Sequence, residues 1–218
     1  MIHKQTQLTL YLIRHAESEM NQNPHLIGGR SPRTPLSPLG IEQAMKLGKY
    51  FHKHDITFNA IYSSTAVRAI GTARLVLKEF NVPEDNVTTT DQLVEIGQGD
   101  WEGKLRTETY TPDTLSYMNT KGPIFTPPNG ESQLMCEHRV SSWFIEEILN
   151  NKKYMGKETT IAIFSHGITI KCLLHFVMHF NDRLIYRITL DNTSMCRLRL
   201  TPDGWFIDSI NDTSHLGQ

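Results

Sequence analysis

The chain has 218 residues, 39% of them hydrophobic, enough to bury a substantial core and better suited to one α/β domain over residues 1–218 than to two. Twenty-two basic side chains against twenty-three acidic ones leave a formal net charge of -1, without the basic block that nucleic-acid binding needs, so any preference for anions has to be local. No apolar run reaches the length of a membrane span, and the start MIHKQTQLTLYLIRH is too poor in apolar residues for a secretory signal core. A cytoplasmic location, with neither nucleic acid nor membrane as partner, is expected.

Leu8 to Ile13 is a continuous apolar run, the pattern of a strand covered on both faces, and it stops abruptly at Arg14 and His15. The prolines and glycines of residues 21–40 make a loop, closed by Ser37 as a helix cap with Pro38 at the first helical position. Ile41, Ala44, Met45 and Leu47 then recur at helical spacing. A second strand, Ala60 to Tyr62, passes through two serines into a helix carrying Val67, Ala69, Ile70, Ala73 and Val76. A third, Thr159 to Phe164, passes through Ser165, His166 and Gly167 into the apolar helix ITIKCLLHFVMHF. Strands alternating with helices imply a mostly parallel central sheet between two helical layers, and MCRLRL and WFIDSI around TPDG add an antiparallel edge. A homodimer pairing through the free edge of that hairpin is left open. Residues 104–135, rich in Thr, Pro and Gly with scattered aromatics, form a long loop read as a cap that sets specificity.

In an open parallel sheet, ligands bind beyond the carboxyl ends of the strands. Three strand-to-helix junctions place cationic or imidazole groups there: Arg14 with His15, Arg68 one turn into its helix, and His166. Two arginines and two imidazoles around one point call for an anion, and a phosphoryl group supplies the oxygens they need. The chain has no phosphate-cradling G-x-x-x-x-G-K-S/T loop and no acidic cluster suited to magnesium, so no metal or other cofactor is expected. Fixed cations take over the neutralisation of charge. Imidazole is the one good nucleophile in the set, and the field of Arg14 should keep His15 neutral. A carboxylic acid must then protonate the leaving alkoxide, and Glu95, at the head of EIGQGDWEG, is the favoured candidate.

These residues resemble the histidine phosphatase superfamily, with its phosphoglycerate-mutase-like fold. LIRHAES is similar to the family's Arg-His-Gly-Glu signature, with Ala16 in the glycine place. PLSPLG at 35–40, SSTAVRAIGTA at 63–73, EIGQGDWEG at 95–103, PPNGES at 127–132, FSHG at 164–167 and DNTS at 191–194 follow in family order. The resemblance implies that His15 is phosphorylated and that Glu95 is the proton donor. It also implies that Arg14, Asn21, Arg68, His166 and the main chain of Gly167 hold the phosphoryl oxygens. Gly28 matches a position lining the substrate pocket. Beside it, Ile27 stands where many relatives carry a hydroxyl or an amide. Glu131 matches a residue that orders the loop beneath the site.

The segment after Glu95 looks like the phosphatase branch, since mutases of the family carry a basic and aromatic segment there. The expected function is therefore a metal-independent phosphomonoesterase acting on a small phosphorylated metabolite. A cofactor-dependent phosphoglycerate mutase and a non-catalytic phospho-ligand-binding protein are the alternatives. Cys136, Cys172 and Cys196 fit neither a disulfide framework nor a zinc pattern and are expected to be reduced. His175 and His179, four apart on an apolar helix, lack an acidic residue between them to support a metal. Trp101 is read evenly as a core filler or a stacking surface for substrate.

Overall fold

The computed structural model describes residues 6–79 and 82–217, so the first five residues of the stretch read for a signal core lie outside it. In chain order the elements are β1 (Gln7–Arg14), α1 (Pro38–Lys53), β2 (Ala60–Ser64), α2 (Val67–Lys78), β3 (Val87–Thr90), α3 (Arg106–Thr109) and α4 (Pro112–Lys121). Then follow α5 (Gln133–Phe144), β4 (Glu158–Ser165), α6 (Gly167–Met178), β5 (Met195–Thr201) and β6 (Gly204–Asp212). The sheet runs β3-β2-β4-β1-β5-β6, with the first four strands parallel and β5 and β6 antiparallel at one edge.

The alternation of β1 decides the layering. Leu8, Leu10 and Leu12 enter one core with Trp143 and Phe144 of α5 and Ile170 and Leu173 of α6. Tyr11 and Ile13 enter the other, with Leu47 and Phe51 of α1 and Val76 and Leu77 of α2. Each such side chain, fully buried, contributes about 1.5–3 kcal/mol, so the two faces lock the strand and its register together. β4 is the last parallel strand in the chain yet lies between β1 and β2 in the sheet. Arg14 therefore pairs with Ser165, and Ser63 with Phe164, so three carboxyl ends stand side by side.

Helix starts are tied to those ends. Ser37 Oγ accepts from the N–H of Gly40 at 3.0 Å, and its own N–H donates to the carbonyl of Glu17 at 3.0 Å, which presses the first turn of α1 against the chain just past His15. The N-cap of α2, Ala66, has no side-chain oxygen, and Ser64 Oγ accepts from its N–H at 3.2 Å instead.

Three features depart from the sequence expectations. β3, with the sequence VTTT, carries too little apolar character to announce itself and is exposed at the sheet edge. Residues 104–135 are not loop throughout, since they contain α3, α4 and a 3-10 turn at Gly122–Ile124. Aromatics hold this region together: Trp101 stands edge-on to Tyr110 at 5.7 Å and tilted to Phe125 at 5.5 Å, so its ring is engaged by the segment itself. The Gly122–Ile124 turn packs against Asp182–Tyr186, a 3-10 segment beyond α6. Finally, α6 stops at Met178, two residues early, because His179 turns left-handed at φ 51°.

Gly40 gives a sign test of this packing. A Cβ at Gly40 would collide with the main-chain oxygen of Glu17, and that oxygen is fixed by Ser37. Alanine normally stabilises a helix over glycine by about 1 kcal/mol, whereas Gly40→Ala is expected to destabilise by about 2 kcal/mol or more. Urea unfolding reads the difference, and a gain in stability would show that the α1 start is not pinned.

Candidate active site

The chain leaves β1 at Arg14 and is held from both sides. His15 N–H donates to the carbonyl of Ser165 at 2.9 Å, and Thr193 N–H donates to that of Arg14 at 3.1 Å. Ala16 N–H donates to Thr72 Oγ1 at 2.9 Å. His15 is thereby fixed at both neighbours and only 4% exposed.

Its partners settle its tautomer. Nδ1 lies 2.7 Å from the carbonyl of Ala16, which can only accept, so Nδ1 carries the hydrogen. Nε2 lies 3.1 Å from Arg68 Nε, which can only donate, so Nε2 presents a lone pair. Burial depresses the pKa of His15 well below the ordinary imidazole value, the charges of Arg68 and then Arg14 push the same way, and the Ala16 carbonyl opposes them. The sequence pointed to Arg14 as the cause, but burial leads and Arg68 outweighs Arg14, because Arg68 touches the ring.

Arg68 is the hub. Its Nη1 donates to the carbonyls of Arg30 at 3.1 Å and Ser31 at 2.9 Å. Its Nη2 donates to that of Gly29 at 3.3 Å and to His166 Nδ1 at 3.0 Å. With Nε on His15, each of its five N–H groups has an acceptor. His166, fully buried, uses Nδ1 as that acceptor and donates from Nε2 to Ser64 Oγ at 2.8 Å. Burial and the charge of Arg68 also hold His166 well below the ordinary imidazole value. The two imidazole rings stand 5.1 Å apart.

Arg14 is provisioned differently. Its Nη1 donates to the carbonyl of Leu190 at 2.6 Å, while its buried Nε has no partner. A Cβ built on Gly167 would lie 3.7 Å from that Nε and 3.7 Å from Glu95 Oε2, so a bare glycine backbone, an unsatisfied donor and a carboxylate meet at one place. Glu95 sits at the head of α6. Its Oε1 accepts from the N–H groups of Ile96 at 3.0 Å and Thr169 at 3.1 Å, and from Thr169 Oγ1 at 3.3 Å. Oε2 accepts from the N–H of Ile168 at 3.2 Å. The free N–H groups of the helix start thus orient the carboxylate.

Asn21 is turned by its neighbours. Its Oδ1 accepts from Ser18 N–H at 3.0 Å and Ser18 Oγ at 2.8 Å, and Asn192 Nδ2 approaches it at 3.4 Å. That leaves Asn21 Nδ2 without a partner among the described residues. Ile27 is 1% exposed, its N–H donates to Lys104, and its carbonyl accepts from Gly103, so both side chain and main chain serve packing rather than a pocket wall. Gly28 is half-buried, and a Cβ there would rest at 3.7 Å on Met20.

Glu102 and Gly29 left no local trace in the sequence, and Glu131 was reached only through the resemblance. Glu102 accepts from the N–H groups of Arg30 at 2.9 Å, Ser31 at 3.2 Å and Gln98 at 3.1 Å, which moulds the loop whose carbonyls hold Arg68. Gly29, at φ 107°, lies where any Cβ would overlap the Glu102 carboxylate. Glu131 takes both Arg139 Nε and Nη2 at 2.9 Å and also accepts from Gly97 N–H at 3.3 Å. Burial pushes the Glu131 carboxyl up, but Arg139 outweighs it and holds it below the usual carboxylate range.

Among the described residues no group of three His, Cys, Asp or Glu side chains is placed to hold a metal ion. His175 does have acidic neighbours from elsewhere in the chain, Glu137 at 2.8 Å and Asp182 at 3.2 Å, but they take opposite ring nitrogens and leave none for a metal. The three cysteines are buried and free. A cavity of about 690 Å³ lies away from this chemistry at the amino end of β2, lined by residues such as Phe51, Ile56, Ala60 and Val82.

The chain is similar to known proteins over most of its length. A broad-specificity phosphatase of Saccharomyces cerevisiae is 29% identical over 214 residues, covering 96% of this chain and 88% of its own. A 2,3-bisphosphoglycerate-dependent phosphoglycerate mutase of Methylocella silvestris is 27% identical over 207 residues, covering 88% and 98%. Among solved structures, the alpha-ribazole phosphatase of Shigella flexneri superposes with a TM-score of 0.77 at 26% identity, covering 94% of this chain and 96% of that one. The sequence pattern of the histidine phosphatase superfamily (branch 1) matches residues 10–213, and the chain belongs to that superfamily.

Proposed function

We propose that the chain is a metal-independent phosphomonoesterase that works through a phosphohistidine on His15. The observation that carries this reading is the lone pair on Nε2, fixed by the Nδ1–H bond to Ala16 and aimed at the guanidinium of Arg68. The superfamily acts on phosphate esters, and the similarity to a broad-specificity phosphatase and an alpha-ribazole phosphatase supports hydrolysis.

In the proposed reaction the bond from His15 Nε2 to phosphorus forms as the phosphorus–oxygen bond to the leaving alkoxide breaks. Arg14 Nε, Asn21 Nδ2 and the N–H of Gly167 donate to the equatorial oxygens. Arg68 exchanges its bond to His15 Nε2 for one to the incoming group, since Nε2 is consumed. His166 holds Arg68 in place, so its part in gripping the phosphoryl oxygens runs through Arg68 in this arrangement. Glu95, entering protonated, gives its proton to the leaving oxygen from Oε2, the less heavily bonded of its two oxygens. It then takes a proton from the water that attacks phosphorus, which restores His15 and releases phosphate. Residues 104–135 cover the leaving-group side as the specificity segment of a single 1–218 domain.

His15→Ala is expected to lower turnover by about 10⁴-fold or more, and wild-type protein quenched during turnover should carry acid-labile, base-stable phosphate. Survival of most activity in that variant would remove the phosphohistidine. Glu95→Gln should slow alkyl phosphates by about 10²–10⁴-fold while sparing p-nitrophenyl phosphate, whose anion leaves unaided. Equal losses on both substrates would displace Glu95 as the acid. A parallel assay with 3-phosphoglycerate and its bisphosphate separates hydrolysis from the mutase reading, in which isomer forms without net phosphate release.

The neutral imidazoles also set a pH dependence of stability. His15 and His166 have folded values below their unfolded values, so near and below pH ~6.5 the unfolded chain binds more protons. Stability therefore falls as pH drops, by about 1.4 kcal/mol per pH unit for each such proton. Urea midpoints between pH 7.5 and 5 should show a shallower fall in His15→Gln than in the unsubstituted protein. Parallel curves would mean that His15 titrates normally.

A further inference from the structure

We infer that Asn211, near the end of β6, is a positioning residue that readies Arg14 for the phosphoryl group by fixing the peptide on which the guanidinium rests. The inference rests on the phosphoryl-binding part given to Arg14 in the phosphatase reading and names the residue that sets it.

One peptide unit joins the two side chains. Arg14 Nη1 donates to the carbonyl of Leu190 at 2.6 Å, and the N–H of that same peptide, the N–H of Asp191, donates to Asn211 Oδ1 at 2.6 Å. Asn211 Nδ2 donates in return to Asp191 Oδ2 at 2.8 Å. This double grip fixes the plane of peptide 190–191 and with it the direction of its carbonyl. The chain just beyond is held by other bonds, from Asn192 Nδ2 to the His15 carbonyl at 3.0 Å and from Thr193 N–H to that of Arg14 at 3.1 Å. A peptide plane can turn about its two flanking single bonds while the neighbouring chain stays in place, so those bonds do not set it. The bond to Asn211 also polarises the peptide, which makes its carbonyl a better acceptor for the guanidinium.

The consequence falls on Arg14 Nε. Nη1 and Nε share one rigid plane, so the Leu190 carbonyl helps to decide where the buried, unpartnered Nε points. That Nε stands beside the bare backbone of Gly167. Asp191 contributes charge as well: burial lowers the Arg14 value, and Glu95 and then Asp191 oppose it.

The sheet edge bends to bring Asn211 there. From the pair Met195–Asp212 to the pair Arg197–Ser209, β5 advances two residues and β6 three, so β6 bulges. Asn211 lies within that bulge and is left-handed at φ 57°. Bulges re-aim side chains, and asparagine is one of the few residues besides glycine that accept this backbone. Stability does not account for the arrangement, because Asp191 is exposed and Asn211 only half-buried. A left-handed residue that stabilises little and stands behind a phosphoryl-binding arginine points to positioning.

Asn211→Gly keeps the left-handed backbone and removes the amide. It is expected to raise KM for phosphomonoesters and Kd for inorganic phosphate by about five- to tenfold, with kcat changed less than about twofold. The relative rates on alkyl and p-nitrophenyl phosphates, which read Glu95, should stay as they were. Asn211→Ser takes its place if the glycine variant does not fold. Combining Asp191→Asn with Asn211→Asp rebuilds both bonds with donor and acceptor exchanged, and it should bring KM and Kd back to within about twofold of the unsubstituted protein. A pair exchange that restores neither constant overturns the positioning role. So does a fall in kcat with phosphate affinity intact, which a smaller folded fraction would produce. Calorimetric titration with inorganic phosphate needs no turnover and so separates the two readings. If no ester is hydrolysed but phosphate affinity depends on Asn211, the phosphatase reading falls and the positioning stands. If phosphate binds the glycine variant and the unsubstituted protein alike, the positioning falls whatever the turnover.

Discussion

Arg68 has five N–H groups, and the fold puts an acceptor before each one. A buried guanidinium cannot shed its charge, so it is stable in the interior only when its donors are met. Meeting them draws together three otherwise separate parts of the chain: His15 at the end of β1, His166 at the end of β4, and the carbonyls of Gly29, Arg30 and Ser31. The loop is shaped for this by Glu102, the His166 ring by Ser64, and the His15 main chain by Ser165. One cation thus fixes both imidazole tautomers, and its charge helps to keep both rings neutral.

The opposite side of the cleft is organised by a helix start. Glu95 replaces the missing side-chain cap of α6, and in exchange α6 aims the carboxylate at the bare backbone of Gly167. Such a capping bond contributes about 1 kcal/mol, and this one also stabilises a position. The geometry links folding to the proposed chemistry. A carboxylate held by several donors is an acceptor, so proton delivery requires that Oε2 let go of its single bond. The oxygen with three donors, Oε1, stays as the anchor.

Legibility in the sequence followed the range of each interaction. β1, the α1 cap at Ser37 and the junctions at Ser64 and His166 depend on periodicity or on neighbours a few residues away, and these could be read directly. The segment 104–135 was marked out by its composition and read as a cap, but its helices lack strong apolar spacing and β3 has Val87 as its one apolar residue, so neither stood out. The bonds that make the site were invisible for a different reason. Arg68 to His166 spans 98 positions and Glu95 to Thr169 spans 74, and no local pattern records such pairings. Strand ends and charge pointed to Arg14, His15, Arg68, His166 and Glu95, the resemblance to a family added Asn21 and Gly167, and the structure supplied who holds whom. It also changed one cause, because the neutrality of His15 follows from burial and Arg68 before Arg14.

The two arginines were alike in the sequence and are unlike in the fold. Arg14 keeps a buried, unpaired Nε, so a phosphoryl oxygen arriving there gains a hydrogen bond without breaking one. Arg68 has no donor to spare and engages the phosphoryl group only by giving up His15 Nε2. On the proposed mechanism that exchange coincides with attack, because the lone pair that Arg68 releases is the one that forms the bond to phosphorus. On that mechanism Arg14 contributes to binding the substrate in its ground state. The contribution of Arg68 grows as Nε2 turns from acceptor to phosphoryl carrier, which directs its charge toward the transition state.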